Sequence, residues 1–209
     1  MEPILLATGN PHKVDEIRAV LGPLGIEMDG LDAIEDPPDE PVEDGPTFQA
    51  NARIKAIAYA RATGRYCMAD DSGLEVDALG GEPGVFSARW AGVEGERQER
   101  DQANNKKLVE RIAGVPQEER TARFVCAMCL VDPAGEILAE ARGEFNGLII
   151  DSPRGENGFG YDPYLFLPEE GCTSAELSPQ EKNARSHRGA ATRAMAAEIS
   201  RIGLVMDRS

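Results

Sequence analysis

Tyr66-Cys67-Met68-Ala69-Asp70-Asp71-Ser72-Gly73-Leu74 is the stretch around which the chain is organised. An apolar approach runs directly into Asp70, Asp71 and Ser72 and then meets Gly73, which predicts a buried strand that ends there and carries both carboxylates at its exposed end. Adjacent carboxylates repel one another and are costly to hold together without a cation beside them, and a divalent metal is the usual answer. Alternate residues of a strand point to opposite faces, so Asp70 and Asp71 need not share one ligand sphere. One can bind a metal or a lysine while the other works on water. The same letters also fit a solvated Asp-Asp-Ser-Gly turn between two strands.

Upstream, residues 3–8 read as a short apolar strand, followed by Gly9-Asn10-Pro11-His12-Lys13 and a helical pattern at Val14, Ile17, Val20 and Leu21. A glycine-bearing loop between strand and helix exposes backbone N–H groups at the positive end of the helix dipole, a seat for phosphate with Lys13 as a point charge. An ordinary helix cap at Asn10 explains the loop as well. It is not a Walker loop, because GxxxxGK[ST] is absent. A strand is expected around residues 26–31, then an acidic, proline-punctuated surface loop over 35–45. Thr47 opens a helix that runs to Gly64, with Asn51 and Lys55 four residues apart on one face and Glu43 at its entrance. That polar face is either solvated or turned into a cleft.

Downstream, residues 75–79 alternate as a further strand and Gly80-Gly81-Glu82-Pro83-Gly84 makes a tight loop. Residues 94–113 read as a charged helix, and 120–131 with 136–145 as a long antiparallel hairpin. In Gly158-Phe159-Gly160-Tyr161-Asp162-Pro163 the flanking glycines leave the Phe159 ring free to receive a flat ligand, unless it packs in the core. A short strand over 164–167 follows, and a final helix from about residue 189 to 202. His187 and Arg188 stand at the start of that helix, where cationic side chains oppose the dipole, so an anionic or carbonyl ligand would account for them.

The 209 residues suit one domain or two closely joined lobes. A net charge of −15 disfavours a nucleic-acid backbone or an anionic membrane as the main partner. A phosphate ligand would need local lysines, arginines and a metal to reverse that field. No basic leader opens the sequence and no stretch approaches the roughly 18 apolar residues of a membrane span, which points to a cytoplasmic protein. The four cysteines lack a second CxxC or a histidine pair for zinc, so reduced, buried thiols are expected, with Cys126 and Cys129 on opposite faces of one strand.

Six motifs now stand in order: Thr8-Gly9-Asn10-x-x-Lys13, Phe48-x-x-Asn51-Ala52-x-x-Lys55-Ala56, Ala69-Asp70-Asp71-Ser72-Gly73-Leu74, Gly81-x-Pro83-Gly84-x-x-Ser87-Ala88-Arg89, Gly158-Phe159-Gly160-Tyr161-Asp162-Pro163 and Ser186-His187-Arg188. Together they closely resemble the inosine/xanthosine triphosphate pyrophosphatases, house-cleaning nucleotide hydrolases, over essentially the whole chain. The resemblance implies an α/β fold with a long, curved, mixed sheet flanked by helices, one domain over residues 1–209 with two lobes and the active cleft between them. It implies a homodimer and Mg²⁺-dependent cleavage of ITP, dITP or XTP to the monophosphate and pyrophosphate.

By the same resemblance, Thr8, Gly9, Asn10 and Lys13 form the phosphate loop, and Asn51 and Lys55 stand beside the phosphates. Asp71 is proton acceptor and metal ligand with Asp70 beside it, and Ser72 is a substrate contact. Phe159, Gly160, Tyr161, Asp162, Lys182, His187 and Arg188 match the nucleoside pocket; on chemical grounds, Arg188 or backbone N–H groups are donors suited to the base's C6 oxygen. Glu43 is the further metal ligand, although a slip of one residue would choose Asp44. A triphosphate carries close to four negative charges, so Mg²⁺, Lys13 and Lys55 are needed before water can reach the α-phosphorus. Two other readings compete: a phosphatase with a nucleophilic aspartate, which would want Asp-x-Asp, and a nucleotide sensor without turnover.

Overall fold

Aliphatic runs make the strands, and capped, alanine-rich or charged stretches make the helices. The computed structural model describes residues 3–204. Strand β1 (Ile4–Leu6) pairs in parallel with β2 (Met28–Asp29) on one side and β3 (Cys67–Val76) on the other. Strands β4 (Thr121–Val131) and β5 (Ile137–Ile149) are neighbours joined by the turn at residues 132–136, and β6 (Leu165–Leu167) and β7 (Cys172–Thr173) follow antiparallel. The order β2-β1-β3-β4-β5-β6-β7 makes an open, mixed, seven-stranded sheet. Helices α1 (Pro11–Leu21), α2 (Phe48–Thr63), α3 (Arg97–Ile112), α4 (Pro179–Arg185) and α5 (His187–Arg201) complete the α/β architecture.

The helix ends follow local chemistry. Thr47 caps α2 by accepting from Ala50 N, and Gly64 ends it in the left-handed conformation at φ 68°. Glu96 and Glu99 form a reciprocal capping box at the start of α3.

The chain divides into two compact units. The first comprises residues up to Asp71, Cys126–Gly143 and those from His187 on; the second comprises Ser72–Val125 and Glu144–Ser186. In the first unit the strands are buried on both faces. Ile4, Leu6 and Met68 pack with Ile17, Leu21, Met195 and Ile199 from α1 and α5, while Leu5, Ala7, Cys67 and Ala69 pack with Ala52, Ala56 and Tyr59 from α2. Burial on both faces is why β1 and the start of β3 read as unbroken apolar runs. Cys126 joins the α1/α5 side and Cys129 the α2 side, as their spacing predicts, and all four cysteines are free thiols. In the second unit Leu74, Val76, Phe124, Phe145, Ile149 and Leu165 pack with Leu108 and Ile112 of α3.

Several boundaries differ from the sequence reading. Residues 26–31 yield only β2, α3 starts at Arg97, β5 extends to Ile149, and α5 begins at His187. The strand through Asp70 and Asp71 does not stop at Gly73. It continues to Val76, and Asp77–Leu79 is a 3₁₀ turn rather than the end of a separate strand. Gly73 answers a close approach instead of a turn: a Cβ there would lie 2.8 Å from both Gly84 O and Ser87 Cβ. The Ser87 hydroxyl accepts from Leu74 N at 2.9 Å and donates to Gly84 O at 2.6 Å, which locks the loop over the glycine. Gly73→Ala must push this loop outward. It is expected to cost about 1–3 kcal/mol, read as a lowered urea midpoint at unchanged slope; an unchanged midpoint would show that the loop yields freely.

Candidate active site

The pleat of β3 separates the two carboxylates. Asp70 has the parity of Met68 and turns to the α1/α5 side; Asp71 has the parity of Ala69 and turns to the α2 side. On the first side, Asp70 is fully buried and its Oδ2 meets Lys13 Nζ at 2.9 Å and Arg188 Nε at 3.4 Å. Arg188 also pairs through Nη1 with Glu16 of α1, and the Cys126 thiol lies 3.8 Å from Asp70 Oδ2. Burial works against ionisation of Asp70, but Lys13, then Arg188 and Lys55, overcome it and hold the carboxyl well below the usual range. Burial pushes the Cys126 thiol up to about 12, so it stays protonated beside the acid.

On the other side, Asn51 of α2 donates from Nδ2 to Asp71 Oδ2 at 3.0 Å, while its Oδ1 accepts from Gly45 N at 2.8 Å. One buried amide thus ties the acidic loop to the second carboxylate. Lys55, one helical turn further along, meets Glu43 Oε1 at 3.1 Å. Burial disfavours the Lys55 charge, yet Asp70, Glu43 and Asp71 outweigh it and raise its pKa. Asp71 is shifted the other way from Asp70: burial raises its pKa, and Lys55, Lys13 and the Asn51 hydrogen bond only partly offset this. Two adjacent carboxyls therefore differ in proton affinity, the more basic one being Asp71.

In the loop that opens α1, Thr8 Oγ1 accepts from Asn10 N at 3.2 Å, and Asn10 caps the helix by accepting from His12 N at 3.1 Å. Asn10 is therefore the helix cap. Gly9 is exposed and Thr8 partly exposed, so this N-terminal turn is open to an anion, with Lys13 on its first turn.

The donor set can be tested for a divalent ion. Asp70 Oδ1 is buried and has no hydrogen-bond partner, an acceptor of the kind a cation satisfies. Among the described residues no group of three or more His, Cys, Asp or Glu converges as a ligand cage. A divalent ion would thus rest on one or two carboxylates and a ligand's own phosphate oxygens, the habit of Mg²⁺ rather than of zinc. Glu43 is the residue of the acidic loop that reaches Lys55, while Asp44 is exposed.

The second unit holds the remaining sequence candidates. Asp162 is buried and acts as a staple: Oδ2 accepts from Phe159 N at 2.8 Å and Lys182 Nζ at 2.6 Å, and Oδ1 accepts from Ser174 Oγ at 2.7 Å. Gly158, at φ 78°, allows this fold-back, because a Cβ there would stand 2.9 Å from both Asp162 Cγ and Lys182 Nζ. The Phe159 ring is partly exposed and has Arg97 4.2 Å and Lys182 Nζ 5.2 Å from its centroid. It is not a core residue. Tyr161 is: its ring packs in the core of this unit and its hydroxyl donates to Ser87 O at 2.9 Å. Ser72, directly after Asp71 on β3, is partly exposed.

The structure therefore brings Lys13, Asp70 and Arg188 together, and Asn51, Lys55, Asp71 and Glu43 together, within one unit; it brings Phe159, Asp162 and Lys182 together in the other. His187 and Arg188, expected in the nucleoside pocket, are buried at the start of α5 in the first unit, with the Arg188 guanidinium on Asp70 and Glu16. Residues missed from sequence are Glu16, Ser174 and the stripe Arg97, Asp101 and Asn105. The stripe was visible as polar residues at i, i+4 and i+8 of the helix read only as charged.

Paired carboxylates of unequal basicity flanked by lysines, on an open mixed sheet, define an α/β protein built to handle phosphate. The chain belongs to the Ham1 family, whose profile matches residues 4–198. It is 50% identical over 196 residues to the dITP/XTP pyrophosphatase of Exiguobacterium sp. (strain ATCC BAA-1283 / AT1b), covering 94% of this chain and 96% of that protein. It is 48% identical to the dITP/XTP pyrophosphatase of Thermus thermophilus, over 92% of this chain and 89% of that one. Among solved structures, a HAM1 protein from Coxiella burnetii matches with a TM-score of 0.85 and 38% identity, covering 96% of this chain and all (100%) of the other.

Proposed function

We propose that this chain is a nucleoside triphosphate pyrophosphatase that hydrolyses deaminated purine nucleotides, ITP, dITP and XTP, to the monophosphate and pyrophosphate. The names of its relatives supply the substrate class. The observation that carries the chemistry is the division of labour along β3: Asp70 is locked by Lys13 and Arg188, and Asp71, with its pKa raised, is held by the Asn51 amide. Lys13 and Lys55, with the N–H groups at the start of α1, hold the phosphates and offset their charge. Asp71 orients a water and takes its proton as the oxygen bonds to the α-phosphorus; the bond from that phosphorus to the bridging oxygen breaks and pyrophosphate leaves with the electron pair. Mg²⁺, for which Glu43, Asp71 and Asp70 are the candidate ligands, supplies Lewis acidity and charge neutralisation when bound. Phe159 receives the base.

The base is read by its C6 oxygen and N1 hydrogen, which adenine lacks. Guanine shares the oxygen, so its 2-amino group must exclude it, an unpaired donor costing about 1–3 kcal/mol when buried. The protein acts on free nucleotides as a cytoplasmic homodimer. The net charge of −15 argues against nucleic acid, and no helix among the described residues is long and apolar enough to cross a membrane.

One panel tests the reading. Pyrophosphate release is expected to be fast from ITP, dITP and XTP, slower from GTP and slowest from ATP, and to stop in excess EDTA and return with Mg²⁺. Orthophosphate as first product would make the protein a phosphatase. Full activity in EDTA would remove the metal.

A further inference from the structure

Helix α3 lies against the Phe159 loop with three polar side chains spaced one turn apart. Gly160 N donates to Asp101 Oδ2 at 3.1 Å, and Asn105 Nδ2 donates to Gly160 O at 3.0 Å, so both backbone groups of that glycine are fixed by the helix. One turn towards the N-terminus, the Arg97 guanidinium sits 4.2 Å from the Phe159 ring centroid and its Nε is 3.7 Å from Asp101 Oδ2. Gly158 and Gly160 both have positive φ, at 78° and 62°, so the backbone by itself gives Phe159 little restraint. Among the contacts that restrain it are the Asp162 staple from within the loop, Lys182 Nζ 5.2 Å from the ring centroid, and the Arg97-Asp101-Asn105 stripe on α3.

We infer that Arg97 is a positioning residue for the nucleobase, its guanidinium holding the Phe159 ring in the orientation that receives a purine. This rests on the reading that the chain cleaves purine nucleoside triphosphates with the base at Phe159. A guanidinium is flat and weakly hydrated and stacks on aromatic rings, which an ammonium does less well. The side chain is 36% exposed, so its removal leaves no cavity to collapse. A ring fixed before the substrate arrives loses less freedom on binding, and that gain belongs to the base and not to the phosphates.

The test is steady-state pyrophosphate release from ITP for wild type, Arg97→Ala and Arg97→Lys, with inorganic tripolyphosphate as a base-free competitive inhibitor and a thermal midpoint for each protein. Expected for Arg97→Ala is a KM raised about 3- to 10-fold at nearly unchanged kcat, with tripolyphosphate inhibition and midpoint unmoved. Arg97→Lys should recover only part of the loss. An unmoved KM overturns the inference. So does full rescue by lysine, which would mean a point charge, or a parallel weakening of tripolyphosphate, which would mean a phosphate contact. Wild-type protein that releases pyrophosphate while the variants match it sinks the inference alone; wild-type protein that releases none sinks the functional reading and the inference with it.

Discussion

Asp71→Asn is expected to lower kcat for ITP by at least about 100-fold while leaving the fold and the substrate affinity in place. The amide has the shape of the carboxyl, and its oxygen can still accept from Asn51 Nδ2, now at 3.0 Å from Asp71 Oδ2, so the tie to α2 and the acidic loop survives. What is lost is the ability to take a proton. Unchanged turnover would remove Asp71 from the mechanism. Recovery of the rate at high Mg²⁺ would make it a ligand and not the base. Asp70→Asn is no substitute for this experiment, because Asp70 faces the other side of β3 and its loss takes a carboxylate away from both Lys13 and Arg188.

Much of this division was legible in the sequence, because alternation along a strand is the one side-chain geometry that needs no partner to be known. Once residues 66–74 are taken as a strand and not as a turn, Asp70 and Asp71 point apart, and Cys126 and Cys129 do likewise on theirs. Residues 3–8 and 47–64 also declared themselves, the first by an unbroken apolar run, which the structure explains by burial on both faces, and the second by a threonine cap and a closing glycine. Gly73 misled because a strand glycine that admits a neighbouring loop looks the same as a glycine that ends a strand; only Ser87 and Gly84, more than ten residues on, tell them apart. The site's ion pairs were less legible. Glu16 and Arg188 are 172 residues apart and nothing local to either predicts their meeting. The position of Arg188 at the start of α5, opposed to the helix dipole, did signal a need for negative charge; it is met by Asp70 and Glu16 of the same unit. Asp162 and Lys182 were both assigned to the nucleoside pocket, and the structure joins them to each other at 2.6 Å.

That buried cluster around Asp70 carries the largest stability effect expected for any single change. Arg188 is 1% exposed and Asp70 0%, so neither can turn to water when its partner is lost. Arg188→Met keeps much of the volume but leaves Asp70 with Lys13 as its ion-pair partner and takes the Arg188 contact away from Glu16. Breaking a buried pair in this way costs about 3–5 kcal/mol, a fall in the folded-to-unfolded ratio of roughly two to nearly four powers of ten, read from urea unfolding at neutral pH. The effect has a pH signature whose sign follows from the lowered pKa of Asp70. With the folded pKa below the unfolded one, the group's contribution is fully present above the ordinary carboxylate range near about 3.9 and is lost as pH falls through that window towards the folded value. Arg188→Met narrows the gap, so the variant should lose stability at neutral pH and show a shallower further loss on acidification than wild type. Replacing the whole pair, Asp70→Asn with Arg188→Met, should recover part of the deficit because the fully buried Asp70 charge is then removed together with the cation that matched it. A double variant as unstable as the sum of the two single ones would mean that the residues contribute independently through packing, and that the ion pair between α5 and β3 is incidental to holding them.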